Sequence, residues 1–111
     1  MRIHVVCGAG ASSTFVAQRL RSAALRDGRD LTVTACTPRS IVGGIERGDL
    51  VLVGPHLDAM LETIRDAAAA ADADLVLLPS DVFDDRDGSR TLALADDAVA
   101  RRPRHSERTP R

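Results

Sequence analysis

Ile3-His4-Val5-Val6-Cys7-Gly8-Ala9-Gly10-Ala11-Ser12-Ser13-Thr14 is the stretch that decides the fold. An apolar strand pattern ends on a cysteine, small residues follow, and three hydroxyl side chains lead into a stripe of Val16, Leu20, Ala23 and Ala24 at helical spacing. Arg19, Arg21 and Arg26 fall largely off that stripe. The pattern predicts a helix from about Thr14 to Asp27, with Gly28 where a C-terminal stop belongs.

The same alternation continues along the chain. Apolar runs at Leu31 to Cys36, Leu50 to Val53 and Leu75 to Leu78 read as three more strands. The last two are continuous rather than alternating, which suits strands covered on both faces of a parallel sheet, whereas Leu31-Thr32-Val33-Thr34-Ala35 alternates and suits an edge. Thr37-Pro38 supplies an N-cap and a first-turn proline for a short helix that Gly43-Gly44 weakens or ends. Leu57, Met60, Leu61, Ile64, Ala68 and Ala71 mark a third helix, and Leu94, Ala95, Ala98 and Val99 a fourth. The reading is βαβαβαβα, an α/β domain with helices on both faces and ligands at the carboxyl ends of its strands.

With 111 residues, the chain has one domain's worth of sequence, and a chain of this length buries roughly two-thirds of its unfolded surface. Phe15 and Phe83 are its only aromatics, so the core is aliphatic and no platform exists for stacking bases or sugar rings. The net charge of -1 gives no global field for a nucleic-acid backbone or an anionic membrane. Residues 101–111 carry +4 and have no apolar periodicity, and are read as a disordered basic tail after a domain of residues 1–100. No run reaches the ~20 apolar residues of a membrane span, and Met1 to His4 leads directly into a strand pattern rather than a signal peptide. A cytoplasmic protein without direct membrane insertion is expected. Two cysteines alone do not make a metal site, so no metal and no cofactor are expected.

At the functional end of the sheet, the small residues after Cys7 let backbone amides converge. With the first-turn N–H groups and the hydroxyls of Ser12, Ser13 and Thr14 they form a nest for an anion such as a phosphoryl group. The candidate phosphate-binding residues are Gly8, Ala9, Gly10, Ala11, Ser12, Ser13 and Thr14. A thiol beside such a nest is drawn toward the nucleophilic thiolate, which makes Cys7 the candidate catalytic residue. The alternative is a small buried cysteine closing a strand above a tight turn.

Three known phosphate loops bear on this string. A Walker loop needs Gly-Lys, and the chain contains no Lys. A dinucleotide fingerprint needs Gly or Ala where Ser13 stands and an acid where strand two ends in Cys36-Thr37. A low-molecular-weight tyrosine phosphatase or arsenate reductase loop places an Arg where this chain has Ser13. Without that Arg, the thiol suits a carrier that accepts a phosphoryl group and holds it for another acceptor. A hydrolase of the phosphatase class and a non-catalytic regulatory module stay open as alternatives.

Cys7, Ala9-Gly10 and Ser12-Ser13-Thr14 together resemble the hallmark loop of the lactose/cellobiose (chitobiose) type enzyme IIB subunits of the bacterial sugar phosphotransferase system. Val51-Leu52-Val53-Gly54-Pro55, the run Asp58 to Glu62, and Asp87-Gly88 before the last helix extend the likeness over about residues 1 to 100. The chain departs from the family pattern at Ala11, where Met is common, at His56, where Gln is usual, and at Ala59, where a larger residue is common.

The resemblance implies a four-stranded parallel sheet of order 2-1-3-4 flanked by helices, with Cys7 as a phosphocysteine. It implies a phosphohistidine on a IIA partner as donor and a sugar held by a membrane IIC partner as acceptor. His56, after Gly54-Pro55, is then placed to reach the Cys7 loop as an auxiliary phosphate donor or else faces solvent. His4, inside strand one, is read as a packed, hydrogen-bonded histidine. Cys36 ends the neighbouring strand and is read as a structural thiol rather than a redox partner of Cys7. Ala11 and Phe15 are expected to leave a shallow apolar rim around the loop.

Overall fold

The computed structural model describes residues 2–7, 10–54, 58–79 and 81–100. Strand β1 (Arg2–Val6) leads to helix α1 (Gly10–Arg26), β2 (Thr32–Cys36), α2 (Pro38–Val42), β3 (Leu50–Val53), α3 (Asp58–Ala70), β4 (Asp74–Leu77), a single 3₁₀ turn (Val82–Asp84) and α4 (Ser89–Ala100). The four strands form one parallel sheet in the order β2-β1-β3-β4, with Val6 opposite both Cys36 and Val53. This is the expected α/β architecture and the expected strand order.

Period-two alternation distributes β1 between two cores. Ile3, Val5 and Cys7 join Leu50 and Leu52 under Val16, Leu20 and Ala23 of α1 and Leu92 and Ala95 of α4. Val6, Val51 and Val53 face the other way, under Ile41 of α2 and Ile64 and Ala68 of α3. All four residues of β3 are buried, which is what a continuous Leu-Val-Leu-Val run in a central strand requires. Each such side chain contributes about 1.5–3 kcal/mol by leaving water.

The sequence punctuation acts where it was placed. Thr37 caps α2: the Ser40 N–H donates to Thr37 Oγ1 at 3.1 Å and the Thr37 N–H donates to Ser40 Oγ at 3.1 Å, with Pro38 in the first turn. Gly28 ends α1 in the left-handed region (φ +69°), and the Arg29 N–H returns to the Ala24 carbonyl at 2.8 Å. Two expectations change. Helix α1 begins at Gly10, four residues before Thr14, because Gly10 to Ser13 take helical geometry without adding to the apolar stripe that marked the helix. Strand β4, at the edge that the expected order gives it, was expected to be covered on both faces but is only half-buried, with Leu77 exposed, while Leu78, just beyond, is buried and donates its N–H to the Val53 carbonyl.

Helix α4 is entered through a polar turn. The buried Asp85 carboxylate accepts from the N–H groups of Arg90 and Thr91 and from the Thr91 hydroxyl, and Asp87 accepts from the Ser89 N–H and hydroxyl. Carboxylates at this helix start satisfy amides that have no intrahelical acceptor. Directly after Asp87, Gly88 adopts φ +77°, and a Cβ there would run into the Arg19 carbonyl of α1 and lie 3.1 Å from the Leu20 nitrogen.

His4 is packed and hydrogen-bonded, as read from the sequence. Its Nε2 lies 2.8 Å from Asp49 Oδ2, and both residues are buried. Asp49 also accepts from the Glu46 N–H at 2.9 Å, and Arg2, paired with Glu46 at 2.7 Å, brings a guanidinium nitrogen to 3.5 Å from Asp49. Burial alone would push the Asp49 carboxyl up, but the bonds from His4 and Glu46 and the nearby Arg2 charge outweigh it and hold the carboxyl below its ordinary value. Its folded pKa is therefore lower than in the unfolded chain, so its stabilisation is complete above the unfolded value of about 4 and is lost as pH falls through the folded value. We expect the stability of Asp49→Asn, measured by urea unfolding between about pH 5 and pH 2, to fall less steeply with acidification than that of the parent. Parallel curves would contradict this.

Candidate functional site

Cys7 stands one residue past β1, a central strand, at the carboxyl edge of the sheet, and only two residues separate it from the start of α1. The strand holds it from one side and the helix from the other. An α-helix leaves the amides of its first turn without intrahelical acceptors and carries partial positive charge there. The site therefore joins a thiol to a helix start with no cationic side chain in the connecting segment.

The thiol is buried, with Cys7 2 % exposed, and packs within the α1 and α4 core. Beside it stands Gly54, which follows β3 as Cys7 follows β1. The Gly54 N–H donates to the Val6 carbonyl at 2.7 Å, continuing the ladder by one rung and setting Gly54 beside Cys7. A Cβ at residue 54 would lie 2.5 Å from Cys7 Sγ and 3.3 Å from its Cβ. Glycine at this position leaves the space that the sulfur occupies. The sequence reading had Gly54 only as part of a motif; the signal that could have found it is its place, directly after the apolar run of the strand that pairs with β1.

The other expected site residues divide. Ser13 lies in the first turn of α1 and is buried, whereas Thr14 is exposed. Gly10, Ala11 and Ser12 belong to the first turn of α1, but the side chains of Ala11 and Ser12 lie outside the described residues, as do Gly8, Ala9 and His56 entirely. Phe15 is exposed one turn into α1. Cys36 ends β2 beside Val6, but its side chain belongs to the opposite face of the sheet from that of Cys7, and neither cysteine is bridged. That arrangement removes Cys36 as a redox partner of Cys7. Among the described residues no group of His, Cys, Asp and Glu is arranged to hold a metal ion, and no helix is long and apolar enough to cross a membrane.

Known proteins carry the same architecture. The solved lactose-specific IIB component domain of the phosphoenolpyruvate:carbohydrate phosphotransferase system from Streptococcus pneumoniae matches with a TM-score of 0.68, covering 88 % of this chain and 96 % of that one. At 12 % identity the likeness is one of fold. Among curated protein sequences there is no match. The family model described as "PTS system, Lactose/Cellobiose specific IIB subunit" matches residues 2–73, from the first residue of β1 to the residue before β4, and thus includes Cys7, α1 and Gly54. The chain belongs to the lactose/cellobiose-specific IIB family of the sugar phosphotransferase system.

Proposed function

We propose that this protein is a cytoplasmic phosphocarrier in which Cys7 Sγ accepts a phosphoryl group from a phosphohistidine of a IIA partner and passes it to a sugar held by a membrane IIC partner. The observation that carries this reading is the position of Cys7, between a central strand and the start of α1, in a chain of the IIB family. The thiolate attacks phosphorus as the bond to the donor imidazole breaks, and the phosphoryl group leaves Cys7 in the same way when a sugar hydroxyl attacks. The amides of residues 8–14 spread the charge of the transferring group over its oxygens, so catalysis is positioning and electrostatics. No Arg or Lys lies between Cys7 and Thr14 to activate the phosphocysteine toward water, which favours a carrier over a hydrolase. Exposed Phe15 beside the loop suits brief docking of two successive partners through small interfaces.

The test is to incubate the protein with a phosphorylated IIA subunit of the family and locate the label by peptide mass spectrometry. One phosphoryl group is expected on the tryptic peptide Ile3–Arg19, which holds Cys7 and no other cysteine, and it should pass on when a IIC subunit and its sugar are supplied. Label on another peptide, or none from any donor, would refute the assignment. Steady turnover of an aryl phosphate would make the protein a hydrolase instead.

A further inference from the structure

On the face of the sheet opposite Cys7, three side chains from separate segments line up. Cys36 Sγ lies 3.7 Å from His4 Nδ1, and His4 Nε2 lies 2.8 Å from Asp49 Oδ2. Asp49, bonded by the Glu46 N–H and close to Arg2, takes the Nε2 side of the ring; in the tautomer that donates from Nε2 to Asp49, Nδ1 presents its lone pair to the thiol. This is a nucleophile beside a base whose orientation is fixed by a third group. His4 and Asp49 are buried, while Cys36 is half-buried at the end of an edge strand, so the sulfur is the member of the chain that solvent species approach.

We propose that Cys36 is a modification site that forms mixed disulfides with low-molecular-weight disulfides, with His4 as its general base and Asp49 as the group that orients His4. In the step, the Cys36 S–H proton passes to His4 Nδ1 as Sγ attacks one sulfur of the incoming disulfide. The old S–S bond breaks, Cys36 is joined to one half, and the other half leaves as a thiolate that takes the proton back from His4. Cys36 is oxidised and the departing half is reduced, so the balance closes with the disulfide itself as oxidant.

The resting thiol stays protonated: burial pushes it up and the Arg2 charge offsets this only in part. Reactivity therefore depends on a base acting during attack, and the Asp49 carboxylate stabilises the imidazolium that forms. Cys7, by contrast, is buried in the other core. Modification at Cys36 replaces the contact with His4 by a bulky group directly before the Thr37 cap of α2.

Incubation of the folded protein with glutathione disulfide, followed over time by mass spectrometry of the peptides Ile3–Arg19 and Asp30–Arg39, reads both cysteines separately. We expect Asp30–Arg39 to be modified first. His4→Gln, which retains a donor toward Asp49 but not the base, should slow that rate by roughly 10²-fold, the lower end of what a positioned general base supplies. Loosening of the fold would instead speed the reaction, so slowing separates the base from a packing role. Asp49→Asn keeps the imidazole and should slow the reaction less, which provides the same test should His4→Gln fail to fold. Rates within about threefold of the parent in either folded variant, or modification of Cys7 ahead of Cys36, would overturn the proposal.

Discussion

Under the proposed phosphocarrier role, Gly54→Ala is expected to lower the rate of phosphoryl uptake from a IIA donor by roughly 10²-fold while leaving thermal unfolding close to that of the parent. The added Cβ would stand 2.5 Å from Cys7 Sγ, so one of the two must give way. Gly54 is held by its N–H bond to Val6 in the middle of the sheet, whereas Sγ is the end of a side chain that turns about a single bond. The sulfur moves and the backbone stays. Displacing a nucleophile by about 1 Å from its line of attack costs on the order of 10²-fold, because in-line transfer tolerates little misalignment. Cys7→Ser, which removes the thiol altogether, sets the zero of the same assay. Single-turnover transfer from a phosphorylated IIA subunit measures both variants. Parent-like transfer by Gly54→Ala would show that the position of the sulfur against β3 is unimportant.

Gly88→Ala has its effect on stability instead. Here neither neighbour can give way cheaply, because the new Cβ meets the backbone of Arg19 and Leu20 in the middle of α1. The turn itself is tied down by Asp85 and Asp87, which hold the first amides of α4. An alanine at φ +77° costs about 1 kcal/mol in backbone strain. Forcing α4 and its entry turn away from α1 adds up to about 3 kcal/mol of overpacking. A domain of this size loses about 4–8 °C of Tm per kcal/mol, so a total of about 2–4 kcal/mol should lower the melting temperature followed by circular dichroism by roughly 8–30 °C. A loss smaller than about 4 °C would mean that the turn and α1 separate freely.

These two glycines show where reading the chain alone reaches its limit. Local signals transferred directly: the Thr37-Pro38 cap, the Gly28 stop, and the continuous apolar run of β3 each depend on neighbours within a few residues. Cys7 at the end of its strand was legible for the same reason. Gly54 was not, because its role depends on β1 and β3 pairing in a register that sets residues 7 and 54 side by side. The partial exposure of β4 was hidden because its apolar run resembles that of β3, and its edge position came only from the strand order that the family likeness implies. Asp49 gave no sign at all: an acid between Gly48 and an apolar strand reads as part of a solvated loop, whereas it closes over a histidine 45 residues earlier. The early start of α1 was missed because small polar residues carry no periodicity.

The core that encloses Cys7 includes Val16 and Leu20 from the first helix but also Leu92 and Ala95 from the last. As the chain leaves the ribosome, the sulfur emerges well ahead of the final wall of its enclosure, which is synthesised some 85 residues later. Throughout that interval β1 has neither its α4 cover nor, until Val53 has emerged, the strand that pairs along its second edge. Within this domain the Cys7 thiol is thus made early and shielded late, and its enclosure depends on synthesis of the last helix.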